Sequence, residues 1–211
     1  PNDFVPVMPS GVWKRLNEDE AVPLINRAIQ GWYAPGSTFK PVTAMAAFLS
    51  GKFDPAEEYV CDGAFVLGTM RLRCWNTYGH GSISLRKAIE QSCNSYFCHI
   101  AHSIGYDSIY EVARMLGLGQ PSGIDLPAES GGLLPTAKWK QDRMRDLWRP
   151  GDTCQIGIGQ GLLITTPLQM AVVTSVFANR GSLYRPHLAR QAIAPLEREM
   201  GWPAQAVAAV R

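Results

Sequence analysis

From Pro41 to Gly51 the chain carries no charged residue, and Val42, Ala44, Met45, Ala46, Ala47, Phe48 and Leu49 leave a helix with hardly a polar side. A helix that is apolar nearly all round has to be surrounded, so the rest of the chain must wrap this segment. The spacing predicts one helix from Ser37, closed by Gly51. With 211 residues of which 46% are hydrophobic, there is enough apolar material to build that core. The helix is entered through Pro35-Gly36-Ser37-Thr38-Phe39-Lys40-Pro41, which puts a hydroxyl and an amine at its buried start.

The remaining elements follow from local signals. Ala64 to Arg73 alternates as a hairpin would, inside a loop-rich stretch from Phe53 to Ser84. Leu85, Ala88 and Ile89 fit one short helix and Tyr96, Phe97, Ile100, Ala101 and Ile104 another, leaving Ser92-Cys93-Asn94 at their junction. Ser108-Ile109-Tyr110-Glu111 reads as a capping box opening a helix to Leu116. Thr166-Pro167-Leu168-Gln169 is a stronger one, predicting a helix to about Arg180. Leu183 to Ile193, interrupted by Pro186, reads as an edge strand or extended arm. The class is α+β, and the even scatter of Pro and Gly makes residues 1–211 one domain.

Twenty basic and 18 acidic residues, with no block of like charge, exclude the electrostatic footprint of a nucleic-acid binder. No apolar run is long enough for a membrane span. A chain that opens at Pro1 and stops at Arg211 reads as a piece of something longer. Five cysteines are too few for a disulfide scaffold of this size.

Ser37 and Lys40, three apart at a helix start, share a face and can hydrogen-bond. Burial would depress the lysine pKa and make it a base for the serine, while the helix terminus favours an oxyanion. Alone, the pair also reads as a helix cap and a snorkelling lysine. Ser92-x-Asn94 changes that balance, because Ser-x-x-Lys followed by Ser-x-Asn is the signature of penicillin-binding proteins and serine β-lactamases.

Asn26-Arg27-Ala28-Ile29-Gln30-Gly31, Tyr33 and Pro35-Gly36-Ser37-Thr38-Phe39-Lys40-Pro41 resemble the transpeptidase domain of class B penicillin-binding proteins of the elongation type. Gly123-Ile124-Asp125-Leu126-Pro127, Gly157-Ile158-Gly159-Gln160-Gly161 and Thr165-Thr166-Pro167-Leu168-Gln169 extend the resemblance, which runs from about Asn2 to His187. It implies the penicillin-binding-protein/serine β-lactamase-like fold, mostly its helical part. It also implies a D,D-transpeptidase that cross-links peptidoglycan stem peptides through a Ser37 acyl-enzyme and is trapped by β-lactams. Lys40 would be the base, Ser92 a proton relay toward the leaving nitrogen, Asn94 a positioning group, and the Ser37 N–H an oxyanion donor. Implied partners are a membrane glycosyltransferase and elongation-complex proteins, at the periplasmic face of the inner membrane with the anchor outside these residues. The family's Lys-Thr-Gly motif is absent, since no lysine here is followed by Thr or Ser and then Gly; the expected explanation is that the chain stops short of it. A β-lactamase or D,D-carboxypeptidase, and a non-catalytic β-lactam sensor or metal-stabilised interaction module, are the rival readings.

Cys61, Cys74, His80 and Cys93 form a complete N/S donor set for tetrahedral zinc. Their spacing matches no short zinc-finger pattern, although similar positions in elongation-type relatives make a structural metal what the resemblance suggests. A Cys61–Cys74 disulfide is the alternative. No cofactor is implied for the chemistry. Cys98 and Cys154 are expected in the core.

Overall fold

The computed structural model describes residues 7–190 and 195–210, and the apolar helix is its axis. This helix, α3 (Lys40–Ser50), follows α1 (Ser10–Glu18) and α2 (Arg27–Gln30). Val42, Thr43, Ala44, Met45, Ala46 and Ala47 are all buried in it, and it closes at Gly51 with φ +66°. That left-handed value is one glycine adopts without steric cost. Helices α4 (Leu85–Glu90), α5 (Asn94–Ile104) and α6 (Tyr106–Met115) come next, with α5 and α6 packed on α3. They are followed by α7 (Ala137–Met144), α8 (Pro150–Gly157), α9 (Pro167–Ala178) and α10 (Ala204–Val210).

Among the described residues the strands make three antiparallel pairs, consistent with an α+β class. β1 (Tyr59–Cys61) pairs with β4 (Gly81–Ile83), and β2 (Ala64–Leu67) with β3 (Met70–Arg73). β5 (Ser182–Tyr184) pairs with β6 (Leu196–Glu199). The β2–β3 pair is the expected hairpin, in register from Ala64↔Arg73 to Leu67↔Met70.

Two expectations are corrected. Ser108 does not open α6: the helix begins two residues earlier, after Gly105, and the Ser108 hydroxyl donates back to the Ile104 carbonyl at 3.2 Å. The arm after Leu183 is a strand only to Tyr184; beyond it the Leu188 and Ala189 amides donate to Asp125 at 2.7 and 3.0 Å, so a carboxylate replaces a strand partner. Residues 191–194 of that arm lie outside the described set.

Helix α8 is the least expected element, because Gly151 and Gly157 weaken its intrinsic propensity. Tertiary contacts hold it instead. Thr153, Cys154 and Ile156 are buried, and the Cys98 thiol approaches the Cys154 carbonyl at 3.7 Å. At its start, Asp152 accepts from the Lys140 ammonium at 2.8 Å, which also donates to the Leu147 carbonyl at 2.9 Å and lies 2.9 Å from Asp146. Those partners are what allow a lysine side chain only 5% exposed. Among the described residues no helix is long and apolar enough to cross a membrane.

Candidate active site

Gly36, at φ +57°, reverses the chain into a single 3-10 turn, Gly36–Phe39, and the α-helix starts only at Lys40. Ser37 therefore sits on a tight turn ahead of α3 rather than on its first α-turn as expected. Its side chain is exposed, whereas Lys40 beside it is 2% exposed.

The expected direct Ser37–Lys40 hydrogen bond is also corrected. The Lys40 ammonium donates to the Ser92 carbonyl at 2.7 Å, the Ser92 hydroxyl at 2.9 Å and the Asn94 side-chain oxygen at 2.7 Å. An ammonium has three donors, so all of them are spent on the α4–α5 junction. The Ser92 hydroxyl then donates to the Ser37 hydroxyl at 2.9 Å. The structure thus links Ser37 to Lys40 through Ser92. Burial lowers the Lys40 pKa to about 8, against the opposing influence of Cys93, Cys74 and Cys98.

Ser92 holds its place at a backbone cost. Its φ is +51°, a left-handed value that costs a non-glycine residue about 1–2 kcal/mol. The junction is fixed by the Ser92 and Cys93 amides, which donate to Ile89 and Ala88 at 3.1 and 2.9 Å. Cys93, not Ser92, caps α5, with its sulfur accepting from the Tyr96 amide at 3.4 Å. Side chains of the tripeptide consequently divide: Ser92 and Asn94 meet Lys40, and Cys93 turns toward the thiols.

On that side Cys61, Cys74, His80 and Cys93 converge, with one ligand atom from each lying within 4.8 Å of all the others. His80 Nδ1 is 3.5 Å from Cys61 Sγ and 3.6 Å from Cys74 Sγ, and the Cys74 and Cys93 sulfurs are 3.8 Å apart. Tetrahedral zinc, with bonds of about 2.3 Å to sulfur and about 2.0–2.1 Å to nitrogen, has edges of about 3.8 Å between sulfurs and about 3.6 Å between sulfur and nitrogen. These three separations match such edges and the other three stay within 4.8 Å, so these residues could hold that metal. All five cysteines are free thiols, which overturns the alternative of a Cys61–Cys74 disulfide. Cys93 is pushed well above the usual thiol range by burial. Cys74 ends below it, because backbone amides of Ser95, Asn76 and Asn94 outweigh the burial that opposes its thiolate.

No site role is evident from sequence for the glycines behind Ser37. Gly159, in the loop leaving α8, accepts the Gly36 amide at 2.7 Å. Three glycines at alternate positions, 157, 159 and 161, were the available signal, since such spacing marks close backbone approach.

The chain belongs to the penicillin binding protein transpeptidase domain family, which matches residues 7–208. It is 40% identical over 192 residues to the peptidoglycan D,D-transpeptidase MrdA of Acinetobacter baumannii, covering 90% of this chain and 29% of that relative. A crystal structure of Pseudomonas aeruginosa PBP2 in complex with WCK 5153 superimposes with a TM-score of 0.89 at 35% identity, covering all of this chain and 48% of that one. A complex between PBP2 and MreC from Helicobacter pylori gives 0.91 at 31% identity, covering all of this chain and 40% of its match. The chain thus spans under a third of the curated relative's length.

Proposed function

We propose that these residues are the helical part of the transpeptidase domain of an elongation-type peptidoglycan D,D-transpeptidase, and that the observation carrying this reading is the Ser37–Ser92–Lys40 chain with Asn94 on the same amine. Ser37 attacks the carbonyl of the penultimate D-alanine of a stem peptide, the terminal D-alanine leaves, and an amine of a neighbouring stem takes the acyl group. A β-lactam stops at the first step. Residues 1–211 act as one partial domain of a longer enzyme at the periplasmic face of the inner membrane. Its partners are a membrane glycosyltransferase and a protein of the kind seen with the Helicobacter pylori relative.

The geometry gives the relay a direction. When Lys40 is an ammonium it donates to Ser92, which donates to Ser37, and no acceptor within the chain of three is left for the Ser37 proton. When Lys40 is neutral it keeps two N–H bonds for the two carbonyl oxygens, neither of which can donate. Its lone pair then faces Ser92, so the chain reverses: Ser37 donates to Ser92 and Ser92 to Lys40. Proton removal from Ser37 thus runs through one hydroxyl. The Ser37 backbone N–H serves as one oxyanion donor.

Because burial lowers the Lys40 pKa, the reactive form is the one above it. The acylation rate with a fluorescent penicillin should rise with pH through about 8 and then level off. A rate independent of pH across this region would remove Lys40 as the base. Turnover of a chromogenic β-lactam separates the rivals: slow trapping fits a transpeptidase, rapid hydrolysis a β-lactamase.

We also assign Cys61, Cys74, His80 and Cys93 to a structural zinc, which would supply a fixed tetrahedral anchor and take no part in acyl transfer. The fit of donor types and spacings supports this. Chemistry at Ser37 needs no cofactor.

A further inference from the structure

We propose that Gly159 is a positioning residue for acylation: it sets the orientation of the peptide unit that carries the Ser37 N–H. The inference rests on Ser37 being the acylated residue and deepens that reading.

Gly159 touches the nucleophile turn on two sides. Its carbonyl accepts the Gly36 N–H at 2.7 Å, which fixes the peptide unit ahead of Gly36. Its α-carbon lies against the unit that follows. A β-carbon at 159 would overlap the Gly36 carbonyl oxygen and come within 2.8 Å of the Gly36 carbonyl carbon and nitrogen. The peptide from Gly36 to Ser37 is planar and trans, so its N–H points opposite to its carbonyl. With that carbonyl pressed on Gly159, the Ser37 N–H is turned away from the loop. Tilting the carbonyl tilts the donor with it.

The loop is stiff enough to act as a backstop. The Gly157 carbonyl accepts from the buried Thr43 hydroxyl at 2.8 Å, which ties the loop to α3. The Gly159 and Gln160 amides donate to Ile156 and Gln155 at 2.8 and 2.9 Å. Gly159 itself has φ +72°, so only glycine meets both the conformation and the space.

The test uses the natural polypeptide that carries these residues, with stopped-flow acylation by a fluorescent penicillin resolving noncovalent affinity from the acylation rate constant. Gly159→Ala should lower the rate constant about 10- to 100-fold, less than the roughly 100- to 1000-fold loss of a whole oxyanion donor. Affinity should stay within about twofold, and the pH midpoint should not move, because the Lys40 relay is untouched. Thr43→Val removes the loop's hydroxyl tie without changing side-chain shape, and should fold and slow acylation a few-fold, about. Wild-type rate constants in folded Gly159→Ala, or in Thr43→Val should the first variant not fold, overturn the proposal. A wild-type protein that is not labelled at Ser37 overturns instead the reading on which it rests.

Discussion

Ser37→Ala should abolish covalent penicillin labelling, and Lys40→Arg should come close to doing so in a protein that still folds. Loss of a serine nucleophile in a hydrolase costs on the order of 10⁶ in rate, below the background of a gel assay. Lys40→Arg is the more telling change. It keeps a cation for the Ser92 carbonyl and the Asn94 side-chain oxygen, but a guanidinium does not deprotonate near neutral pH. Loss of the base alone is worth about 10²–10⁴, and the rise with pH through about 8 should vanish with it. Lys40→Met would do further damage by leaving two half-buried oxygens without their donor. Ser92→Ala should also slow acylation strongly, since it breaks the one path between Ser37 and Lys40 that the structure shows. If the Ser92→Ala protein acylates at the wild-type rate, Lys40 reaches Ser37 directly and the relay is wrong.

What could be read from the sequence was whatever depended on neighbours along the chain. α3 declared itself because a helix without a polar face has one place to go. α9 did so through Thr166 and Gln169, whose reciprocal capping bonds at 3.1 and 2.9 Å are in place. The β2–β3 hairpin and the junction at Ser92 needed only periodicity. Elements held by distant partners were not legible. α8 exists because Lys140 grips its first turn and α5 covers its side; α7 has one buried residue, that same Lys140.

The site shows the same division. Ser37, Lys40, Ser92 and Asn94 could be named from their types and spacing, but not the order in which they bond. That order follows from a left-handed serine at 92, a conformation residue type argues against, and from a 3-10 turn where an α-turn was expected. The four metal-ligand candidates illustrate it further. Cys61 ends β1, Cys74 follows β3, His80 precedes β4 and Cys93 caps α5, so no short spacing could have announced them.

Removing the metal is expected to damage the protein as much as any change outside the catalytic residues. Protein purified without chelator should contain about one zinc per chain, and Cys74→Ser or His80→Ala should lose it. The thermal midpoint should fall by more than about 10 °C, since roughly 2–4 °C accompanies each kcal/mol in a domain of this size. Acylation should fall as well, although no ligand faces Ser37. Cys93 lies between the two residues that bind the Lys40 amine, and its sulfur is 3.8 Å from that of Cys74. Zinc on that sulfur would add a tether to the amide hydrogen bonds that hold Ser92 in its left-handed conformation. Once it is released, Ser92 relaxes, the Lys40 amine loses its acceptors, and the link to Ser37 opens. Zinc readdition after mild chelation should restore both thermal midpoint and acylation, which distinguishes a metal effect from unfolding. Protein that is metal-free as purified, yet fully stable and fully acylated, would reduce the cluster to three buried thiols beside a histidine.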